Sequence, residues 1–204
     1  LTRKKRFILS SNCLLNPFCR VYLSGRNFQL SSRLFSYLLE NGVGIIQLPC
    51  PETTANGLIR WPMGRQQYDN TFYRKHCKEI MQPEIDLVEE FVSRHYQPVC
   101  FLAVEGSPNC GLSWGSHRTD RRGFEIIEVR ELESACEVRS SGINVEILAE
   151  ELRKRGIYIP FMEVPIKAPK DSDREASFFR ELRHLLGDHR GDTVPLASGA
   201  AETS

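Results

Sequence analysis

Four short apolar runs punctuate the chain: Phe7 to Leu9, Val43 to Leu48, Val99 to Val104 and Ile157 to Val164. The first three (FIL, VGIIQL, VCFLAV) are almost uninterrupted, the pattern of strands buried on both faces. Each is cut off by residues that cannot continue a strand. The first stops at Ser10-Ser11-Asn12, the second at Pro49 and Pro51, and the third at Gly106-Ser107-Pro108. Pro160 breaks the fourth. Helical periodicity fills the intervals. Ser31 or Ser32 reads as an N-cap ahead of Leu34, Phe35, Leu38 and Leu39, and Asn41-Gly42 ends that helix. Two helices are predicted over Asn70 to Met81 and Pro83 to His95, with Pro83 in a first turn. Ile143 to Arg155 forms another, ended by Gly156, and Asp171 to Leu186 the last. Loops carry Pro17 and Gly25, then Gly57, Pro62 and Gly64. The polar, Gly- and Arg-containing stretch from Leu112 to Val138 reads as a long loop.

Buried strands separated by helices predict an α/β fold, a parallel sheet with helices on both faces and right-handed crossovers. Such sheets bind ligands at the carboxyl ends of the strands, near a reversal in strand order. A single domain is expected over residues 1–187. The small, polar residues 188–204 read as a disordered tail. There is no internal repeat.

Charge changes this picture little. Lys and Arg number 27 against 26 Asp and Glu, a net charge of +1, which argues against a polybasic nucleic-acid binder. No apolar run approaches the ~18 residues of a membrane span, and Phe7 to Leu9 is too short for the core of a secretion signal. A soluble cytoplasmic protein is expected.

Cysteine changes it more. The chain has 7, at positions 13, 19, 50, 77, 100, 110 and 136. An odd number without a secretion signal makes a poor disulfide framework. Cys13, Cys50 and Cys110 each follow the end of a predicted strand, in SNCLLN, QLPCPE and GSPNCG. Neighbouring strands lie about 5 Å apart, so the sheet brings these thiols to one edge. Three convergent thiolates indicate a soft metal or an iron–sulfur cluster, and three ligands leave an open position. No CxxC pair is present. Cys77, Cys100 and Cys136 sit in apolar or helical settings, the usual place of inert filler cysteines.

The segments CLLN, LPCPE and GSPNCG together resemble the thiouracil desulfidase family, most closely its short, single-domain members. The resemblance runs from about Phe7 to Val164 and takes in GRQQYD at Gly64 to Asp69 and the run from Ser141 to Phe161. It implies a Rossmann-like domain with a [4Fe-4S] cluster on Cys13, Cys50 and Cys110. The family commonly has Ser where this chain has Asn109. The activity implied is non-redox hydrolysis that removes sulfur from a thiolated pyrimidine or related small thio-compound.

In that setting Glu52, just beyond Cys50, is the expected general base for water. Ser107 is the expected hydrogen-bond donor to substrate or water. Arg65, Gln67 and Tyr68 are candidates for the pocket lining. Cys19 is an alternative fourth ligand that would close the site; the protein would then be a non-catalytic iron–sulfur or zinc-binding sensor module. His117 is a weaker metal candidate. Arg118, Arg121 and Arg122 form a basic loop able to hold phosphate, although nucleic acid is not an expected partner. The basic run from Arg3 to Arg6 reads as the solvated entry to the first strand.

Overall fold

The computed structural model describes residues 5–21, 28–116, 137–170 and 172–187. Its centre is a sheet of four parallel strands, β1 (Arg6–Ser10), β2 (Val43–Gln47), β3 (Gln97–Val104) and β6 (Phe161–Val164), in the order β2-β1-β3-β6. Two further strands, β4 (Trp114–Ser116) and β5 (Glu137–Arg139), pair antiparallel apart from it. The register sets Ile8 opposite Ile45 and Phe101 opposite Phe161.

Alternation along the strands explains why helices cover both faces. Ile8, Cys100, Leu102 and Val104 face one side, where they pack with Leu30, Leu34 and Leu38 of α2 (Phe28–Glu40) and with Phe178, Phe179 and Leu182 of α7 (Asp173–Leu185). Phe7, Leu9, Phe101 and Ala103 face the other. There they meet Cys77, Met81, Ile85 and Val88 of α5 (Thr71–Ser93) and Ile147, Leu148 and Leu152 of α6 (Ile143–Lys154). Each fully buried Leu, Ile or Phe contributes about 1.5–3 kcal/mol, so both faces are strongly specified. This is the expected α/β, Rossmann-like arrangement. No helix among the described residues is long and apolar enough to cross a membrane.

Several elements differ from the sequence reading. The two helices expected over 70–81 and 83–95 are one, with Pro83 in its interior. Proline forfeits one backbone hydrogen bond, but Cys77, Met81, Ile85 and Val88 form an unbroken buried stripe across it. That stripe outweighs the local break. The last strand is confined to Phe161–Val164, because Pro160 has no N–H to give and the residues before it do not pair, although the Pro160 carbonyl accepts from the Phe101 N–H at 2.8 Å. The second helix begins at Phe28, so Ser31 and Ser32 lie inside it. The ends of the expected 112–138 loop are β4 and β5. Short helices α1 (Asn12–Leu15), α3 (Pro51–Asn56) and α4 (Arg65–Tyr68) occupy stretches read as loop.

The chain moves from β1 outward to β2, then returns past β1 to β3 and β6. The reversal falls between β1 and β3, and their carboxyl ends frame the crevice where such folds take ligands.

Candidate active site

Three arms leave the carboxyl edge of the sheet, and each carries a cysteine. The first follows β1. Ser11 fixes its root, with N–H and Oγ both donating to the Leu102 carbonyl at 3.1 and 3.0 Å. Helix α1 then presents Cys13, anchored by buried Leu14. Arg20 donates from Nε and Nη2 to the Cys13 carbonyl at 3.1 and 2.8 Å. Burial pushes the Cys13 thiol up to about 11, against the pull of Arg20, and the nearby Cys50 and Glu52 add to the rise.

The second arm follows β2. The Leu48 N–H donates to the Ser10 carbonyl at 2.9 Å, tying this arm to the first. Cys50 is the N-cap of α3, with Pro51 behind it in the first turn. Its sulfur accepts from the Thr53 Oγ1 at 3.3 Å and the Thr53 N–H at 3.5 Å. Burial raises this thiol too, and the Thr53 hydrogen bonds oppose the rise.

The third arm follows β3. Gly106 turns the chain with φ of 70°, a conformation that favours glycine. Ser107 Oγ accepts from the N–H groups of Asn109 and Cys110 at 3.3 and 3.0 Å. The loop then docks on the start of α6: the N–H groups of Ile143, Asn144 and Val145 donate to the Pro108 and Asn109 carbonyls at 3.0–3.3 Å. These are first-turn donors that a helix cannot satisfy internally. Burial pushes the Cys110 thiol well above the ordinary range, with Cys13, Cys50 and Glu52 adding to it. Cys50 thus acts electrostatically on both Cys13 and Cys110, and Cys13 on Cys110.

Glu52 links them. Its Oε1 accepts from Asn109 Nδ2 at 2.9 Å. Its Oε2 accepts from Arg60 Nε and Nη2 at 3.2 and 3.1 Å. The Tyr68 and Tyr73 rings pack at 4.7 Å between centroids, and both hydroxyls are buried without a partner in hydrogen-bond geometry among the described residues. Burial, and after it the Glu52 charge, push both phenols far above their ordinary range, so they stay protonated.

The remaining candidates fall elsewhere. Arg65 is engaged with the Ser141 carbonyl, Asp69 and Glu146, in a network that fastens α4 and α5 to α6. Gln67 accepts from the Gly64 N–H. Tyr68 alone of the expected pocket residues stands beside Glu52. Cys19 is buried in a 3-10 turn (Pro17–Cys19), and its carbonyl accepts from Arg60 at 2.6 Å. Cys77 and Cys100 are fully buried in the two cores, as expected of fillers. Cys136, His117, Arg118, Arg121 and Arg122 lie outside the described residues, as do Arg3 and residues 188–204. Sequence reading missed Arg60 altogether and treated Asn109 only as a departure from a motif. Their signal is a contact with Glu52, 8 residues from Arg60 and 57 from Asn109, which spacing does not reveal.

Six described cysteines are free thiols. Among the described residues, no three His, Cys, Asp or Glu side chains gather into a set that would hold a metal ion.

Comparison with known proteins bears on this edge of the molecule. Residues 5–134 match the family model described as "Putative 2-thiouracil desulfurase". That span contains Cys13, Cys50, Glu52, Arg60, Ser107 and Cys110. An uncharacterized protein of Methanocaldococcus jannaschii is 27% identical over 182 residues, which cover 89% of this chain and 97% of that protein. No solved structure matches.

Proposed function

The chain belongs to the family described as "Putative 2-thiouracil desulfurase", and from that premise we propose that it removes sulfur from a thiolated pyrimidine or a related small thio-compound by non-redox hydrolysis. In balanced form, a thiocarbonyl and water give the oxo compound and hydrogen sulfide, with no electron donor or acceptor consumed.

The observation that carries the proposal is the meeting of three cysteine arms with one carboxylate at the switch between β1 and β3. Cys13, Cys50 and Cys110 are the residues that would hold a [4Fe-4S] cluster. The donor chemistry suits that group: three free thiols that follow three adjacent strands of the sheet. Bound by three thiolates, the cluster would supply one iron without a protein ligand, a Lewis acid for a thiocarbonyl sulfur.

The chain's own groups do the rest. Glu52, held from both sides, takes a proton from the attacking water. Ser107 accepts two backbone N–H bonds at Oγ, which leaves its hydroxyl proton for the substrate oxygen or the water. Tyr68 and Tyr73, kept neutral by burial and by the Glu52 charge, do not compete for the proton.

The test is sulfide and oxo-product formation by protein purified and reconstituted without oxygen, over a panel of thiouracils and thionucleosides. Stoichiometric sulfide and oxo product are expected from at least one of them. Iron-loaded protein that releases sulfide from none would contradict the proposal, and a closed cluster that resists added sulfide would point to the sensor role instead.

A further inference from the structure

Arg60 sits in an otherwise apolar stretch, GLIRWP, between Ile59 and Trp61, which are both strongly exposed. Its own side chain is 4% exposed. Burying a guanidinium is costly unless every donor is used. Here all five N–H groups are: Nε and Nη2 on Glu52 Oε2, Nη2 also on the Cys19 carbonyl at 2.6 Å, and Nη1 on the Gly57 carbonyl at 3.1 Å and Thr53 Oγ1 at 3.4 Å.

Three of those four acceptors lead to a cysteine arm. Thr53 Oγ1 receives from Arg60 and donates to the Cys50 sulfur. Glu52 receives from Arg60 and, on its other oxygen, from Asn109, the residue before Cys110. Cys19, bonded through its carbonyl, is next to Arg20, which grips the Cys13 carbonyl. We infer that Arg60 is the positioning residue of this site. Its planar fork couples the three cysteine loops to one another and sets the direction of the Glu52 carboxylate. This deepens the desulfidase reading and rests on it for the meaning of the site, but the coupling itself is a property of the chain.

Geometry, not charge alone, is what the inference requires. Lysine keeps the charge but offers a compact ammonium with three donors in place of a planar fork. Arg60→Lys should therefore behave like a loss of function at this position.

Amide hydrogen exchange on the full chain, purified without oxygen, tests it. In Arg60→Lys, peptides covering residues 11–20, 50–57 and 107–112 should all exchange roughly tenfold faster or more, as local opening becomes easier. Peptides from the sheet and from α2 and α7 should keep their wild-type rates. Faster exchange limited to residues 57–62, or no change, would overturn the inference. Should Arg60→Lys unfold, Asn109→Ala serves. It cuts only the Glu52 link, so residues 107–112 should open while residues 11–20 do not, and wild-type exchange at 107–112 would overturn the coupling.

A second readout separates positioning from general support. At equal iron content, Arg60→Lys should lower kcat about tenfold or more with KM little changed, the signature of a misdirected reacting group. Exchange is measured without any turnover. A failed substrate screen would thus leave the coupling standing, and wild-type exchange in the variants would remove the coupling while the desulfidase reading stood.

Discussion

Gly142 packs directly on the peptide that joins Asn109 to Cys110. A Cβ at this position would stand 2.3 Å from the Asn109 carbonyl carbon and oxygen and 2.8 Å from the Cys110 nitrogen. The φ of Gly142 is −71°, which any residue adopts, so close approach alone demands glycine here.

Gly142→Ala should therefore push the Cys110 loop off the start of α6. The obstacle is backbone, which cannot rotate away. Overpacking of this kind costs about 1–3 kcal/mol or more. A lowered melting temperature and poor iron retention after anaerobic reconstitution are expected. Wild-type behaviour in both would show that the loop relaxes freely.

Glu52→Gln and Glu52→Ala should differ. Glutamine still offers an oxygen to Arg60, so iron loading should survive while turnover falls by about a hundredfold or more, the scale of general-base loss. Alanine strands a buried guanidinium, which costs about 3–5 kcal/mol when a buried pair loses one partner. Thermal melts of the two variants check this; equal melting temperatures would mean that Arg60 finds other company.

Ser107→Ala should show two effects. Its oxygen no longer accepts from Asn109 and Cys110, so stability should drop by about 1 kcal/mol. Turnover should fall further than the altered loop alone explains, because the hydroxyl proton is also gone. Full activity at reduced stability would assign Ser107 to turn formation only.

Acid should loosen the contact between α4, α5 and α6. The Arg74 hydrogen bond, with Arg65 behind it, holds the Asp69 carboxyl below its ordinary value of 3.8. Burial acts to raise Glu146, but Arg65 and Arg74 outweigh it and hold it below 4.5. Both groups are depressed in the folded chain. Their contribution is therefore complete above about pH 4.5 and is lost as pH falls through the lower folded values. Unfolding free energy measured from pH 6 downward should decline less steeply in Glu146→Gln. An unchanged slope would contradict the assignment.

What the sequence disclosed followed from burial on two faces. β1, β2 and β3 were legible because Phe7 to Leu9, Val43 to Leu48 and Val99 to Val104 have helices on both sides and so contain almost nothing polar. The cysteine arms were legible for the same reason, since a strand that stops abruptly marks where the ligand edge begins. Pro83 misled because a local rule was applied where a stripe of buried side chains decides. Pro160 did the reverse: its local effect won, and the last strand shortened. Arg60 and Gly142 were illegible. One looks like any loop charge and the other like any helix-start glycine until Glu52 and the Asn109–Cys110 peptide are set beside them.

The most direct measurement is iron, zinc and acid-labile sulfide on protein purified without oxygen, beside Cys50→Ala. The account predicts brown wild-type protein with about four irons and four sulfides per chain, and a colourless variant. Colourless wild-type protein carrying about one zinc, even after reconstitution with iron and sulfide, would contradict it.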